Sequence, residues 1–131
     1  MADSKRFEDW YKKAQADLQG ARILKDHEGD NGLVAFHCQQ AIEKALKGFI
    51  LERTNELLEG HSLVFLCRRA ARLDSYFAGQ LKNCAFVNQF YIETRYPADM
   101  PDPVDDDEME ECLRITAEII DYIIGGRKSK E

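Results

Sequence analysis

Apolar residues recur at steps of three and four along most of this chain, which is the spacing of one buried helix face. Five stretches follow the pattern. The predicted helices run from about Ser4 to Lys25, from Leu33 to about Arg53, from near His61-Ser62, from a cap at Asp74-Ser75, and from Asp105-Asp106-Asp107-Glu108 to a stop at Gly125-Gly126.

Three of these helices are long, two are shorter, and the connections between them are short. No stretch alternates apolar and polar residues in the manner of a strand, and Pro97, Pro101 and Pro103 exclude regular helix from about Thr94 to Val104. We therefore predict an all-α, up-and-down helical bundle of four to five helices, formed by residues 1–131 as a single domain. The residues expected to be largely buried are Trp10, Leu18, Phe36, Ile42, Leu46, Leu66, Leu81, Cys112, Ile119 and Ile120.

The last predicted helix has a wide apolar stripe, because Ile119-Ile120 is followed by Ile123-Ile124. One bundle core requires less apolar surface than this. A homodimer built on helix faces would cover the excess, and a fifth helix packed on the bundle would do so equally well. Homodimerisation is our prediction.

Composition places the chain among globular proteins, with 131 residues, 44% hydrophobic and 32% charged. No run approaches the ~18 apolar residues of a membrane span, and the first ten residues are polar and charged. We expect a cytoplasmic protein without membrane attachment. Each of the four cysteines lies within an apolar helical pattern, so we expect reduced, buried thiols.

Charge is unevenly distributed along the chain, whose net charge is −6. Eight acidic residues and no basic one lie between Asp99 and Glu111. The remainder carries 18 basic against 16 acidic residues, so a partner that bears phosphate is not excluded there.

Motifs for metal or cofactor chemistry are missing. The sequence contains no Glu-x-x-His, no Cys-x-x-Cys and no Gly-rich phosphate loop, and the acidic run lacks the order of a calcium loop. We expect neither a metal nor a cofactor.

The second helix nevertheless carries a cluster of polar residues. Gln40, Glu43, Lys44 and Lys47 are each within one turn of the next, so amides, a carboxylate and two ammonium groups converge. The alternative is an ordinary solvated helix face.

A second cluster ends the fourth helix. Tyr91 and Arg95 are four residues apart, Tyr96 follows, and Pro97 stops the helix. A guanidinium between two phenols can bind a phosphate in a bidentate manner and stack on a base. Alternatively, the arginine bonds the last helix carbonyls while the tyrosines pack.

Three segments together resemble a known family. The stretch Phe36 to Leu46, the Gly60-His61-Ser62-Leu63 start of the third helix and the ending Tyr91-x-x-x-Arg95-Tyr96-Pro97 are similar to the HEPN domain. The branch most similar is that of small stand-alone proteins, often encoded beside a minimal nucleotidyltransferase. The resemblance covers almost the whole chain.

The resemblance implies a helical bundle, usually a homodimer, with a cleft for nucleotides or RNA. Many HEPN proteins are metal-independent ribonucleases with an Arg-x4-6-His motif, but no histidine follows Arg95 here. Without that general base, binding is favoured over cleavage.

The first hypothesis is a non-catalytic nucleotide-binding protein that recognises substrate for, or regulates, a nucleotidyltransferase. Its site would contain Lys44, Lys47, His61, Tyr91, Arg95 and Tyr96. The second is an endoribonuclease of a toxin–antitoxin pair, in which His61 or His37 replaces the missing histidine. The third is a structural helical adaptor.

Overall fold

Helices account for most of the backbone in the computed structural model, which describes residues 3–91 and 103–129. That part of the chain contains no strand, so the prediction of an all-α helical bundle is confirmed. The helices are α1 (Phe7–Asp26), α2 (Asn31–Thr54), α3 (Leu63–Ala71), α4 (Leu81–Asn88), α5 (Asp106–Ile120) and α6 (Gly126–Ser129). A 3₁₀ helix (Ser75–Gln80) leads into α4, and a π turn (Asp121–Gly125) joins α5 to α6.

Side-chain caps fix where several helices begin. Asp30 Oδ2 accepts a hydrogen bond from the backbone N–H of Leu33 at 3.1 Å, and Ser62 Oγ accepts one from Phe65 at 3.1 Å. At the start of α5, Asp105 and Glu108 form a reciprocal capping box. Each cap satisfies an N–H group that would otherwise lack a partner.

Helix α2 is the centre of the bundle. It packs along α1 as an antiparallel hairpin and also contacts α3, α4 and α5. Its end is set by Asn55, whose φ of 63° is the left-handed conformation common after a helix C-terminus. Because neighbours surround α2 on several sides, little of its surface reaches water.

The core matches most of the predicted list. Leu18, Ile42, Leu46, Leu66, Cys112, Ile119 and Ile120 are buried as predicted. The prediction of burial is wrong in part for Trp10, Phe36 and Leu81, which are only half-buried. Trp10 and Phe36 lie at the edge of the polar cluster described below, where their rings partly face solvent.

The four cysteines are reduced and buried, as predicted. Burial raises the pKa of the Cys38 thiol to about 11 and raises that of Cys112 as well. These thiols therefore stay protonated at neutral pH, and a protonated thiol is a poor nucleophile.

The last helix departs from prediction at its end. Gly125 and Gly126 were expected to stop it, but Gly126 has φ −62° and ψ −35°, so the chain continues as helix through the π turn into α6. A glycine ends a helix when it takes the left-handed conformation, and Gly126 does not.

The wide apolar stripe of this helix is covered within the chain. Ile119, Ile120, Ile123 and Ile124 are all buried, because α1 and α2 pack against them. The prediction of a homodimer rested on surplus apolar surface on this helix. Because the stripe is covered within the chain, it no longer supports that prediction. Large apolar side chains that are exposed lie elsewhere, at Ile23, Leu33, Phe65, Leu73 and Tyr122.

Within the described residues, no helix has the length and apolar character needed to cross a membrane.

Candidate functional site

A row of polar residues on α2 is buried rather than solvated. Gln39, Glu43 and Lys47, spaced four apart, are 0%, 4% and 6% exposed. The alternative of a solvated helix face is therefore wrong for these positions. The physical reason is the central place of α2, since α1 and the segment before α3 cover the side on which these residues lie.

The Glu43 carboxylate is the centre of this buried group. Its Oε1 lies 3.0 Å from His61 Nδ1, and its Oε2 accepts a hydrogen bond from Lys47 Nζ at 3.2 Å. The amide of Gln39 lies 3.4 Å from Oε1. A buried carboxylate is stable only when such partners replace water, and here cationic, imidazole and amide groups do so.

Lys47, which forms the buried ion pair with Glu43, is also covered by a side chain of α1. Its Nζ lies 5.7 Å from the centre of the Trp10 ring on α1, which is a cation–π distance. With Glu43 on one side and the indole on the other, the ammonium group is turned away from solvent.

His61 connects the buried group around Glu43 with the protein surface. Its side chain is 56% exposed, and its ring stacks on Tyr91 with centroids 4.8 Å apart and planes inclined by 17°. The Gln39 amide donates to the His61 carbonyl at 3.1 Å, which ties the backbone of the segment before α3 to α2. Gly60, with φ +95°, makes the turn that leads into this position.

The orientation of the imidazole follows from its partner. A carboxylate only accepts hydrogen bonds, so His61 Nδ1 carries the proton that faces Glu43. In the neutral ring, Nε2 is then the acceptor. The chain thus holds a half-exposed imidazole in one orientation and in one tautomer.

Tyr91 is itself supported from α2. Its ring meets Phe36 edge-on, with centroids 6.1 Å apart and planes at 75°. His61, Tyr91 and Phe36 therefore form a short aromatic series, for which edge and stacked contacts are the favoured geometries.

Lys44 belongs to a neighbouring cluster. Its Nζ lies 2.6 Å from Asp17 Oδ2 on α1 and 3.5 Å from Gln40 Oε1, while His37 Nδ1 lies 3.7 Å from Asp17 Oδ1. Gln40 connects the two clusters, since its amide donates to Gln39 Oε1 at 2.8 Å.

The predicted site residues thus fall into three groups. Lys47, His61 and Tyr91 come together around Glu43, Lys44 lies with Asp17, and Arg95 and Tyr96 lie outside the described residues. Gln39 and Phe36 contribute contacts that the predicted set omitted. The four-residue spacing of Gln39, Glu43 and Lys47 was the signal that could have placed Gln39 in the group.

The described side chains do not form a metal centre. Across residues 3–91 and 103–129, no three His, Cys, Asp or Glu side chains are grouped so that they could hold an ion. The arrangement can instead present a stacking surface, accept a hydrogen bond at Nε2 and, when His61 is protonated, donate one.

Comparison with known proteins places the chain in a family. A family model described as the HEPN domain matches residues 7–128. No curated protein matches.

Two solved structures are similar over nearly the whole chain. The crystal structure of TT1696 from Thermus thermophilus has 30% identity and a TM-score of 0.75, covering 92% of this chain and 97% of that one. The crystal structure of ST0689, an archaeal HEPN homologue, has 28% identity and a TM-score of 0.73, covering 94% and 98%. The resemblance seen in the three sequence segments is confirmed, and the chain belongs to the HEPN domain family.

Proposed function

We propose that this HEPN protein binds a nucleotide, or one nucleotide unit of an RNA, at the surface where His61 lies on Tyr91. The observation that carries the proposal is that a half-exposed imidazole is held by a buried carboxylate and an aromatic ring. An exposed ring fixed in this way offers a flat face to a base and a polar edge to a ribose or phosphate.

The energetics of the buried group support a functional role. Removing a carboxylate and an ammonium group from water costs several kcal/mol per ion, and an apolar pair of similar volume is often at least as stable. Stability alone therefore does not account for Glu43 and Lys47. Their arrangement does orient His61, which is the member of the group that reaches solvent.

Phosphate binding is assigned chiefly to Arg95. This guanidinium follows Tyr91 by four residues, with Tyr96 next to it, and Lys47 and Lys44 already have carboxylate partners in Glu43 and Asp17. In the proposal, Tyr96 packs on the base or ribose while the two lysines add positive potential. Charge-assisted contacts of this kind are the strong hydrogen bonds of phosphate recognition.

The same proposal includes two partners. One is a second copy of the chain, and the other is a minimal nucleotidyltransferase, for which this protein would recognise substrate or act as regulator. Both derive from the family resemblance. Sedimentation at tens of micromolar tests the first, and a monomer there would contradict it.

Calorimetric titration with mononucleotides tests the site. We expect Arg95→Ala to cost about 1.5–3 kcal/mol of binding, roughly tenfold or more in affinity, because a charge-assisted phosphate contact is lost. His61→Ala should also weaken binding. His27→Ala is the matched control, since this histidine is exposed at the end of α1, and it should bind as the wild type does. Equal affinities for the wild type, Arg95→Ala and His61→Ala would contradict the proposal.

A second candidate function is RNA cleavage, as in the toxin of a toxin–antitoxin pair. The observation in its favour is the contact from His61 Nδ1 to Glu43, because it leaves Nε2 able to accept the proton of a ribose 2′-hydroxyl. Steady cleavage of RNA by the wild type that disappears in His61→Ala but persists in His27→Ala would transfer the assignment to this function. A protein that neither binds nucleotides nor cleaves RNA would be a structural adaptor.

A further inference from the structure

The outer face of α3 combines three arginines with an exposed aromatic ring. Phe65 is 48% exposed, Arg68 and Arg72 are exposed, and Arg69 is partly so. The opposite face of the helix is buried in the core through Leu63, Leu66, Cys67 and Ala70. We name the outer residues Phe65, Arg68, Arg69 and Arg72 the α3 strip.

Positive charge on the strip has few acidic partners in the part of the chain that the structure describes. From His61 to Leu73 the sequence contains no acidic residue. Arg69 pairs with Glu56 at 3.0 Å, whereas Arg68 and Arg72 have no carboxylate partner among residues 3–91 and 103–129. These two guanidinium groups are four residues apart and lie about 6 Å from each other along the helix axis.

Helix termination accounts for only part of this arrangement. Arginines in the last turn interact favourably with the carbonyl end of a helix, which explains basic residues at the end of α3. It does not explain a phenylalanine one turn earlier with about half of its side chain in water. An aromatic ring bordered by guanidinium groups is the combination that binds single-stranded nucleic acid, through stacking and phosphate contacts.

The strip also begins next to the proposed nucleotide site. His61 precedes Phe65 by four residues, Ser62 caps α3 between them, and Arg72 lies about 10 Å beyond Phe65 along the helix. A strand with one unit at His61 and Tyr91 can therefore continue along α3. A duplex would not suit the strip, because its bases are stacked on each other and offer Phe65 no free face.

We propose that the α3 strip is a binding surface for single-stranded RNA, which extends from the nucleotide site along the outer face of α3. This inference deepens the proposed function and rests on it for the site where the strand begins. The recognition is independent of sequence, since stacking on Phe65 and phosphate contacts to the arginines carry no base-specific hydrogen bonds.

The test measures the binding of a fluorescein-labelled oligouridylate of twelve residues by anisotropy, at several salt concentrations. For Arg68→Gln with Arg72→Gln we expect at least about tenfold weaker binding. The slope of log K against log salt should become shallower by about 1.4, because each lost phosphate contact of a single strand accounts for about 0.7. Phe65→Leu keeps an apolar side chain and removes the aromatic ring, so we expect about fivefold or greater weakening with no change in slope.

The matched control is Arg6→Gln with Arg22→Gln. These exposed arginines lie on or next to α1, and their replacement removes the same charge from the chain. We expect this variant to bind the oligonucleotide with nearly the affinity and slope of the wild type. Thermal unfolding followed by circular dichroism checks that all variants are folded.

The outcomes separate this inference from the proposed function. Variants of the strip should bind mononucleotides as the wild type does, whereas His61→Ala should weaken both ligands. In one outcome, mononucleotides fail to bind while binding of the oligonucleotide still depends on Arg68 and Arg72. That result would show that the proposed nucleotide site is wrong and that the proposal for the α3 strip is correct.

Three results would overturn the proposal that the α3 strip binds RNA. The first is equal binding of the oligonucleotide by the wild type and the strip variants. The second is equal weakening in the control variant, which would show a general effect of charge. The third is equally effective competition by polyglutamate, which would indicate a surface for acidic proteins.

Discussion

Two sides of α2 are equally buried but differ in chemistry. On one side, Ile42 and Leu46 are fully enclosed by apolar neighbours, with Cys38 beside them. On the other, Gln39, Glu43 and Lys47 are enclosed to nearly the same degree, and each has a polar partner. Burial alone therefore does not distinguish the structural side of the helix from the candidate site.

The difference lies in what holds each side together. The apolar side gains stability roughly in proportion to the area that it removes from water. The polar side is stable only if every donor and acceptor meets its partner, so its geometry is specified residue by residue. The polar side also reaches solvent, through His61.

Removing the central carboxylate should have the largest effect. Glu43→Ala leaves Lys47 buried without its charge partner, which we expect to lower the free energy of unfolding by about 3–5 kcal/mol. Urea denaturation measures this change, with the exposed Glu59→Ala as control, for which we expect almost no effect. A loss below about 1 kcal/mol would show that water reaches Lys47 in the variant.

Alkaline pH should lower the stability of the protein through Cys38, on the apolar side of α2. The pKa of Cys38 is about 11 in the folded protein because of burial and near 9 when exposed. Above pH 9 the unfolded chain loses this proton while the folded chain keeps it, so stability is complete below pH 9 and falls towards pH 11. The loss is about 1.4 kcal/mol per pH unit for this thiol.

Unfolding in urea at pH 7 to 11 measures the slope, and Cys38→Ala should flatten it. The buried Cys112 thiol and the Tyr76 hydroxyl, whose pKa burial raises to about 12, should leave a residual slope of the same sign. An unchanged slope in Cys38→Ala would mean that this thiol titrates alike in the folded and unfolded chain, so that burial does not raise its pKa.

Replacing Gln39 should loosen the segment before α3, which its side chain holds against α2. Gln39→Leu keeps the volume but removes the donor to the His61 carbonyl and the contact with Glu43, at an expected cost of about 1–3 kcal/mol. Hydrogen exchange should rise around His61 more than in α1. The exposed Gln15→Leu is the matched control, and equal effects of the two variants would remove Gln39 from any positioning role.

The smallest effect on stability, and the sharpest contrast, is expected from replacing the ion pair with apolar residues. Glu43→Leu with Lys47→Met should change the free energy of unfolding by no more than about 1 kcal/mol, or raise it. The variant should nevertheless bind nucleotides less well than the wild type, since His61 loses its carboxylate. Retention of both stability and binding would show that the two sides of α2 do not differ in function.

Sequence periodicity predicted much more of the fold than of the site. The helices, the cap at Asp74 and the free cysteines follow from local rules, because apolar spacing and caps act within one or two turns. The burial of the polar row on α2 could not be predicted, because local polarity says nothing about how many neighbours surround a helix.

The contacts of the site arise from residues far apart in the chain. Glu43 meets His61 eighteen residues later, and Lys44 meets Asp17 on another helix. No rule of spacing within one helix predicts such pairs. The motif around His61 indicated that the residue mattered, but the structure alone reveals which carboxylate orients it.

The π turn after α5 has a consequence for the length of the chain. In an uninterrupted α-helix, Arg127 would lie three full turns beyond Thr116 and so on the same face, inside the core. The additional residue in the π turn rotates the following segment by about 100°, which brings Arg127 to Glu52 at 2.8 Å and over the Phe7 ring. Deletion of a single residue between Asp121 and Gly125 would therefore remove the added rotation together with the added residue, so that a regular α-helix would still bring Arg127 to Glu52.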